Sequence, residues 1–308
     1  MTALFSLVSC TMLEAEKTAR PPLRVAYNEW WGDYTLLVAQ EKGFFESHGI
    51  QVEPVYYDIY SKTHSDLASG QIDAAFIAIG DAINVSRYIH VKAVGISDDG
   101  GADAIIAGPE INSVEDLKGK TVGILLGTQY ELLITEMLRS ANMSPVDVTL
   151  VGIDPENALN ALNSDQAQAV YAWEPFLSEA VSKGKKIIYE KKTLFPDLIV
   201  FNTSIIENRP EDVQAFLEAW FEAVDYRIQN PQETRSIAAK YLGVNIEDVP
   251  PDDSLKLLTL EENKALFELD EENSIYDVTR RTSDYLISIG ALAQQIDPLE
   301  LLNPDFLP

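Results

Sequence analysis

Leu23-Arg24-Val25-Ala26-Tyr27-Asn28 is a short β-rich run. It gives way, through Glu29-Trp30-Trp31-Gly32-Asp33, to a helical stretch from Tyr34 to Lys42 closed by Gly43. Glycine ends helices because it alone enters the left-handed region without a Cβ penalty, so this stretch reads as the first half of a strand-helix-strand crossover. The same grammar repeats outward from it. Gln51 to Tyr57 reads as a strand, Ser61 to Ser69 as a helix closed by Gly70, and Ala74 to Ile79 as a buried strand. Alternation of this kind is the signature of an α/β protein with a mainly parallel sheet. Val91 to Ile96 and Ala104 to Ala107 are expected to extend that first sheet.

A second unit starts at Ser113-Val114-Glu115-Asp116, which has capping-box spacing ahead of Leu117. It continues as strand Thr121 to Leu126, helix Gln129 to Ala141, strand Val148 to Ile153, a helix opened by Asp154-Pro155, and strands Ala167 to Ala172 and Ile187 to Tyr189. The remainder is mostly helical: Pro210 to Gln229, a segment begun by Asn230-Pro231, and Ser274 to Ile289 before Gly290. A chain of 308 residues exceeds what one core usually organises, so two α/β lobes joined by a hinge, with a helical C-terminal region, are expected.

The formal net charge of −26, from 23 Lys and Arg against 49 Asp and Glu, repels a phosphate backbone and argues against nucleic-acid partners. The single cysteine, Cys10, permits no intrachain disulfide and no thiolate metal cluster. It follows the apolar run Ala3 to Val8, and Leu7-Val8-Ser9-Cys10 resembles a bacterial lipobox, in which the cysteine becomes the lipidated first residue. Residues 11 to 22, ending in Pro21-Pro22, then read as a tether.

Three further blocks and the terminus carry a resemblance. Tyr27 to Tyr34 followed by Ala39-Gln40-Glu41-Lys42-Gly43-Phe44-Phe45 and Gly49-Ile50-Gln51-Val52 resembles the opening of the nitrate/sulfonate/taurine-type ABC-transporter substrate-binding proteins, a superfamily that includes thiamine-pyrimidine-precursor binders. Ser69-Gly70-Gln71-Ile72-Asp73-Ala74-Ala75 resembles the next block. Asp116 to Gly123 with Gly127-Thr128 resembles the start of the second lobe, and Leu302 to Leu307 the terminus. The resemblance implies a type II periplasmic binding protein with crossings near Ala107 to Pro109 and Val200 to Asn202. Lobe 1 would then be 23–107 plus 202–308, lobe 2 would be 108–201, and 1–22 a signal and tether. It also implies a monomer that captures a small-molecule solute for an ABC permease and its ATPase, touches the membrane only through a lipid anchor at Cys10, and lies outside the cytoplasm. Neither a cofactor, a bound metal nor catalysis is expected. A signalling ectodomain for the same ligand class is the alternative.

The resemblance places candidate ligand contacts at the strand ends. Thr128-Gln129-Tyr130-Glu131 has capping-box spacing, so the helix N-terminus could offer N–H groups to a ligand oxygen, with Gly127 allowing close approach; a plain helix cap is the other reading. Trp30 and Trp31 are adjacent, so at most one faces the cleft if the strand continues through them. Trp31 and Tyr34 are expected as walls, with Asn28 and Asp33 nearby. Gly80 and Asp81 end one strand, where Asp81 could cap a helix instead. Ser97 and Asp98 open the acidic, glycine-rich turn to Asp103, which a solvated turn also explains. Trp173 and Glu174 end a strand of the second lobe. Together these loops supply carboxylates and rings but no evident Arg or Lys, favouring a cationic, zwitterionic or ring-bearing solute over a bare anion.

Catalytic signals are sparse. The three histidines show no metal-ligand spacing, and His48 and His90 read as surface positions. Ser61-Lys62-Thr63-His64 resembles the pyridoxal-phosphate lysine and histidine of the fungal pyrimidine synthase, a relative of this family. The cysteine-rich iron motif of that enzyme has no counterpart in a chain whose only cysteine is Cys10.

Overall fold

Strand β1 (Leu23–Tyr27) is buried along all but one of its residues, as a strand covered on both faces must be. The computed structural model describes residues 20–101, 103–190, 195–249, 255–269 and 273–308, and Cys10 lies outside them. β1 pairs in parallel with β2 (Val52–Tyr56), from Leu23 opposite Val52 to Tyr27 opposite Tyr56, and on its other side with β3 (Ala74–Ala78). The helices between them, Tyr34–Glu41 and Tyr60–Ser69, are the crossovers that parallel pairing requires; the second ends on Gly70, whose φ of 71° is left-handed.

The remaining strands are β4 (Val91–Asp98), β5 (Ala104–Ala107), β6 (Thr121–Ile124), β7 (Thr149–Gly152), β8 (Ala169–Ala172), β9 (Lys186–Glu190) and β10 (Asp197–Asn202). They form two five-stranded sheets, in the orders β2-β1-β3-β10-β4 and β7-β6-β8-β5-β9. Both sheets are built alike. Each has a parallel trio, and each receives one antiparallel strand that arrives from the other sheet: β10 between β3 and β4, and β5 between β8 and β9.

This corrects two expectations. Ala104 to Ala107 does not extend the first sheet, and the chain passes between the sheets earlier than Ala107 to Pro109 and Val200 to Asn202. It passes between Asp98 and Ala104, and again between Glu190 and Asp197. Residues 104–107 therefore go with the second lobe, and 197–201 with the first. A four-residue apolar run carries no information about which sheet it joins, because it is buried on both faces in either. Pairing in these strands is antiparallel because each enters its sheet from the end that faces the other lobe. Gly100 and Gly101, with φ of 80° and 50°, make the first passage possible.

The helix Pro210–Gln229 covers the outer face of the first sheet. Its Trp220 is fully buried, stacked on Phe76 of β3 at 4.6 Å and on Phe216 at 6.2 Å, and Phe216 stacks in turn on Phe45 at 5.3 Å. Removing such an indole leaves a cavity the sheet cannot close. Trp220→Ala is expected to cost about 3–5 kcal/mol, read from urea unfolding, and Trp220→Phe well under half of that.

Candidate ligand-binding cleft

A narrow cavity of about 20 Å³ lies where the two sheets meet. Asn28, Trp30, Asp33, Tyr60 and Phe76 line it from the first lobe, and Tyr130 and Trp173 from the second. Gly100 and Asp103 of one passage and Phe195 and Asp197 of the other complete the wall.

The loop after β1 sets the first side. Asn28 Oδ1 accepts from the Trp30 backbone N–H at 2.7 Å, and Asp33 Oδ2 accepts from the Asn28 N–H at 2.9 Å. The chain then turns into a short 3-10 helix over Trp31–Asp33 instead of continuing as a strand. That turn sends the two tryptophans different ways. Trp30 reaches the cavity and donates from Nε1 to Asp98 Oδ2 at 3.4 Å. Trp31 and Tyr34 pack into the core with Phe45 and Trp220, and the Tyr34 hydroxyl donates to the Glu29 carbonyl at 3.1 Å. The expectation that Trp31 and Tyr34 form the walls is corrected in favour of Trp30. Gly32 lies against the same carboxylate: a Cβ there would come within 2.0 Å of Asp98 Oδ2.

The opposite side is aromatic. Tyr130 stacks on Tyr171 at 4.6 Å, and Trp173 meets Tyr171 edge-on at 5.7 Å. Trp173 also meets Tyr60 edge-on across the cleft at 5.2 Å. Tyr60 is held rigidly, its hydroxyl donating to Asp81 Oδ2 at 2.9 Å and accepting from the Ala78 N–H at 3.1 Å.

Other expected contacts stand behind the wall or away from it. Asp81 supports Tyr60 and does not cap a helix, the first turn there being preceded by Ala78. Ser97 donates to Asp98 Oδ2 at 2.9 Å. Glu174 accepts from the N–H and hydroxyl of Ser178 at 3.0 and 2.8 Å, capping the helix Phe176–Ser182. The helix expected from Gln129 starts at Tyr130, and local groups occupy its entrance: Thr128 Oγ1 accepts from the Tyr130 N–H, and Glu131 from the Gly127 N–H at 2.6 Å. Gly127, Thr128 and Gln129 thus do not line the cavity.

Gly80, Gly127 and Gln129 instead join the lobes. Gln129 Oε1 accepts from the Gly80 N–H, Asn84 donates to the Gly127 carbonyl at 3.1 Å, and Glu156 Oε1 accepts from the Tyr60 N–H at 3.0 Å. A Cβ on Gly80 would come within 2.2 Å of Gln129 Oε1 and 2.9 Å of its Cβ, so closure to this distance needs glycine there.

Burial shapes the electrostatics. It pushes the Asp33 carboxyl well above the usual range, helped by Asp98 and opposed by the Asn28 N–H and Arg227. Asp98 is raised to about 6, by burial first, against bonds from Gly100 and Ser97. Glu156 is raised to about 7, again mainly by burial.

Tyr60, Phe76, Phe195 and Asp197 line the cavity without having been singled out from sequence. Tyr60 sits one residue before the expected helix start at Ser61, and Asp197 begins β10, a strand not read from the sequence and lying within the range expected for lobe 2. Lys62 is not part of the wall; it pairs with Asp66 on the same helix and lies over the Tyr57 ring at 4.9 Å. His48 bridges Glu218 and Glu222 at 3.1 and 3.0 Å.

Two similar sheets, two crossing strands and a cavity between them define the type II periplasmic binding protein fold. The chain belongs to the NMT1/THI5-like family, whose model matches residues 34–234. A Brucella abortus protein named as a binding protein is 28% identical over 92% of this chain and 91% of its own. A Bacillus subtilis relative named for aliphatic sulfonate binding is 26% identical over 88% and 83%. The alkanesulfonate-binding protein SsuA of Xanthomonas axonopodis pv. citri, solved bound to MOPS, superposes with a TM-score of 0.72 at 17% identity, covering 92% of this chain and 99% of that one.

The raised carboxyl of Glu156 makes a signed prediction. It holds its proton to higher pH in the folded protein than in the unfolded chain, so its contribution is fully present below about 4.5 and is lost as pH rises through about 7. Glu156→Gln keeps an acceptor for Tyr60 without the charge. It is expected to match the parent's stability to urea unfolding at pH 4 and exceed it at pH 8, by on the order of 1–3 kcal/mol.

Proposed function

We propose that the chain is the extracytoplasmic solute-binding component of an ABC importer. It captures a small organic nitrogen- or sulfur-containing solute between its lobes and delivers it to a permease driven by an ATPase, without chemical change. The observation that carries this reading is that both lobes and both connecting passages contribute to one cavity wall. A ligand touching all four is bound more tightly when the lobes are closed, and differential affinity of that kind is what couples capture to a domain movement.

Family membership and the names of the relatives support the importer role. No helix among the described residues is long and apolar enough to cross a membrane. Attachment through a lipidated Cys10 would hold the protein near its permease as a monomer.

The test is a thermal-shift screen of amines, amino-sulfonates, pyrimidines, nitrate and bicarbonate, followed by calorimetry. A ligand at about a hundred times its dissociation constant adds roughly 2.7 kcal/mol to a protein that binds it only when folded. Trp30→Ala is expected to abolish the shift and, its ring being buried too, to lower the unliganded melt by several degrees. Trp31→Ala is expected to lower the melt itself by several degrees, its ring being core. Conversion of the recovered ligand to a product would sink the capture reading.

A separate labelling experiment addresses the anchor. Cells expressing the full precursor should incorporate radiolabelled fatty acid into this protein, and Cys10→Ser should eliminate that incorporation. Equal labelling of both would remove Cys10 as the anchor.

A further inference from the structure

Glu156 lies on the short 3-10 helix Pro155–Asn157 of the second lobe, and its Oε1 accepts from the Tyr60 N–H of the first lobe at 3.0 Å. Its other oxygen, Oε2, is shut off from solvent and has no hydrogen-bond partner. A carboxylate oxygen buried in this way is costly while it carries charge, and a proton on the carboxyl removes that cost.

The surroundings act in the same sense. Asp154 from its own loop and Glu29 from the loop after β1 are both acids that act on Glu156, and Glu29 accepts from the Tyr56 hydroxyl at 2.8 Å. On the helix Tyr60–Ser69, Lys62 pairs with Asp66 and His64 acts on Asp81. The helix Ala158–Asn163 and strand β8, which pack on the Glu156 turn, carry no charged residue. Burial keeps the Tyr171 hydroxyl of β8, and that of Tyr60, well above the usual range and so neutral. Bonds from the N–H groups of Glu156 itself and of Tyr60 favour the ionised carboxyl, but desolvation is the larger effect.

Closure supplies part of that environment. Tyr60 and Glu29 belong to the first lobe and Glu156 to the second, so parting the lobes rehydrates the carboxyl and takes Glu29 away from it. The open protein therefore returns Glu156 toward its ordinary value of 4.5, whereas the closed one holds it at about 7. Closing takes up a proton between these values, so the stabilisation of the closed form is fully present below about 4.5 and is lost as pH rises through about 7. The same contact bears on the solute, because Tyr60 lines the cavity and meets Trp173 of the second lobe edge-on at 5.2 Å.

Resting on the capture reading, we propose that Glu156 is a proton-linked latch between the lobes, which holds the Tyr60 N–H and the enclosed solute when protonated and lets the first lobe go when ionised. Solute is then held most tightly below neutrality and given up more readily above it.

The test needs no solute. On the full chain, protection of the Tyr60 amide against hydrogen exchange is measured at pH 5 and pH 8 and corrected for the intrinsic pH dependence of exchange. The radius of gyration is followed alongside by small-angle scattering. The parent is expected to lose at least about tenfold in protection between the two pH values and to expand. Glu156→Gln keeps the acceptor without the charge, and is expected to retain at pH 8 the protection and radius it has at pH 5. Glu156→Ala lacks the acceptor and is expected to show low protection at both; having two variants keeps the test open if this one fails to fold. Full protection of the parent at pH 8 would overturn the latch, and so would the parent's loss persisting in Glu156→Gln. Either result leaves solute capture standing, which is decided separately by the solute screen.

Discussion

The antiparallel insertion of β10 between β3 and β4, and of β5 between β8 and β9, is the constraint on which the rest of this molecule depends. Each inserted strand begins at a passage between the lobes and is locked by ladder hydrogen bonds on both sides. The passages are therefore short and their ends fixed. Gly100 and Asp103 at one, and Phe195 and Asp197 at the other, are delivered to the cavity wall by that locking alone. A strand placed at the edge of either sheet would leave these residues to a loose connection and the cleft without a floor.

The same geometry explains why buried acids are tolerated. Asp98 closes β4 and accepts from Gly100, Ser97 and Trp30, so the carboxyl that orients the cavity tryptophan also fixes the first turn of the passage. Its cost is visible in a carboxyl raised to about 6, and burial likewise pushes that of its neighbour Asp33 well above the usual range. Buried charge without a partner is expensive and is retained mainly where a function uses it.

Specific hydrogen bonds join the lobes among the described residues. Gly80 meets Gln129, Asn84 meets Gly127, and the Tyr60 N–H meets Glu156. These hydrogen bonds sit beside an apolar cluster that draws residues from both lobes, the Tyr60–Trp173 ring contact among them. The residues that looked like ligand contacts at the start of the second lobe serve this closure. The Gly127 and Thr128 stretch has the backbone freedom and capping chemistry of an anion site, but the Gly127 N–H is bonded to Glu131 and the Tyr130 N–H to Thr128.

What the amino-acid sequence determined by itself was the local grammar. Alternating apolar runs, glycine-closed helices and capping residues specify strands and helices through backbone sterics and burial periodicity, which act over a few residues. The α/β class, the element order and the concentration of rings and carboxylates near Asn28, Trp30, Asp33, Tyr130 and Trp173 were legible for that reason. Only the tertiary structure decided which sheet receives Ala104 to Ala107, because a strand buried on both faces has no pattern that names its neighbours. It alone decided between Trp30 and Trp31, since a 3-10 turn that replaces the strand rotates both side chains. Tyr60, Phe195 and Asp197 entered the wall for the same reason: their place is set by hydrogen bonds and packing to residues far along the chain, which no local sequence pattern encodes.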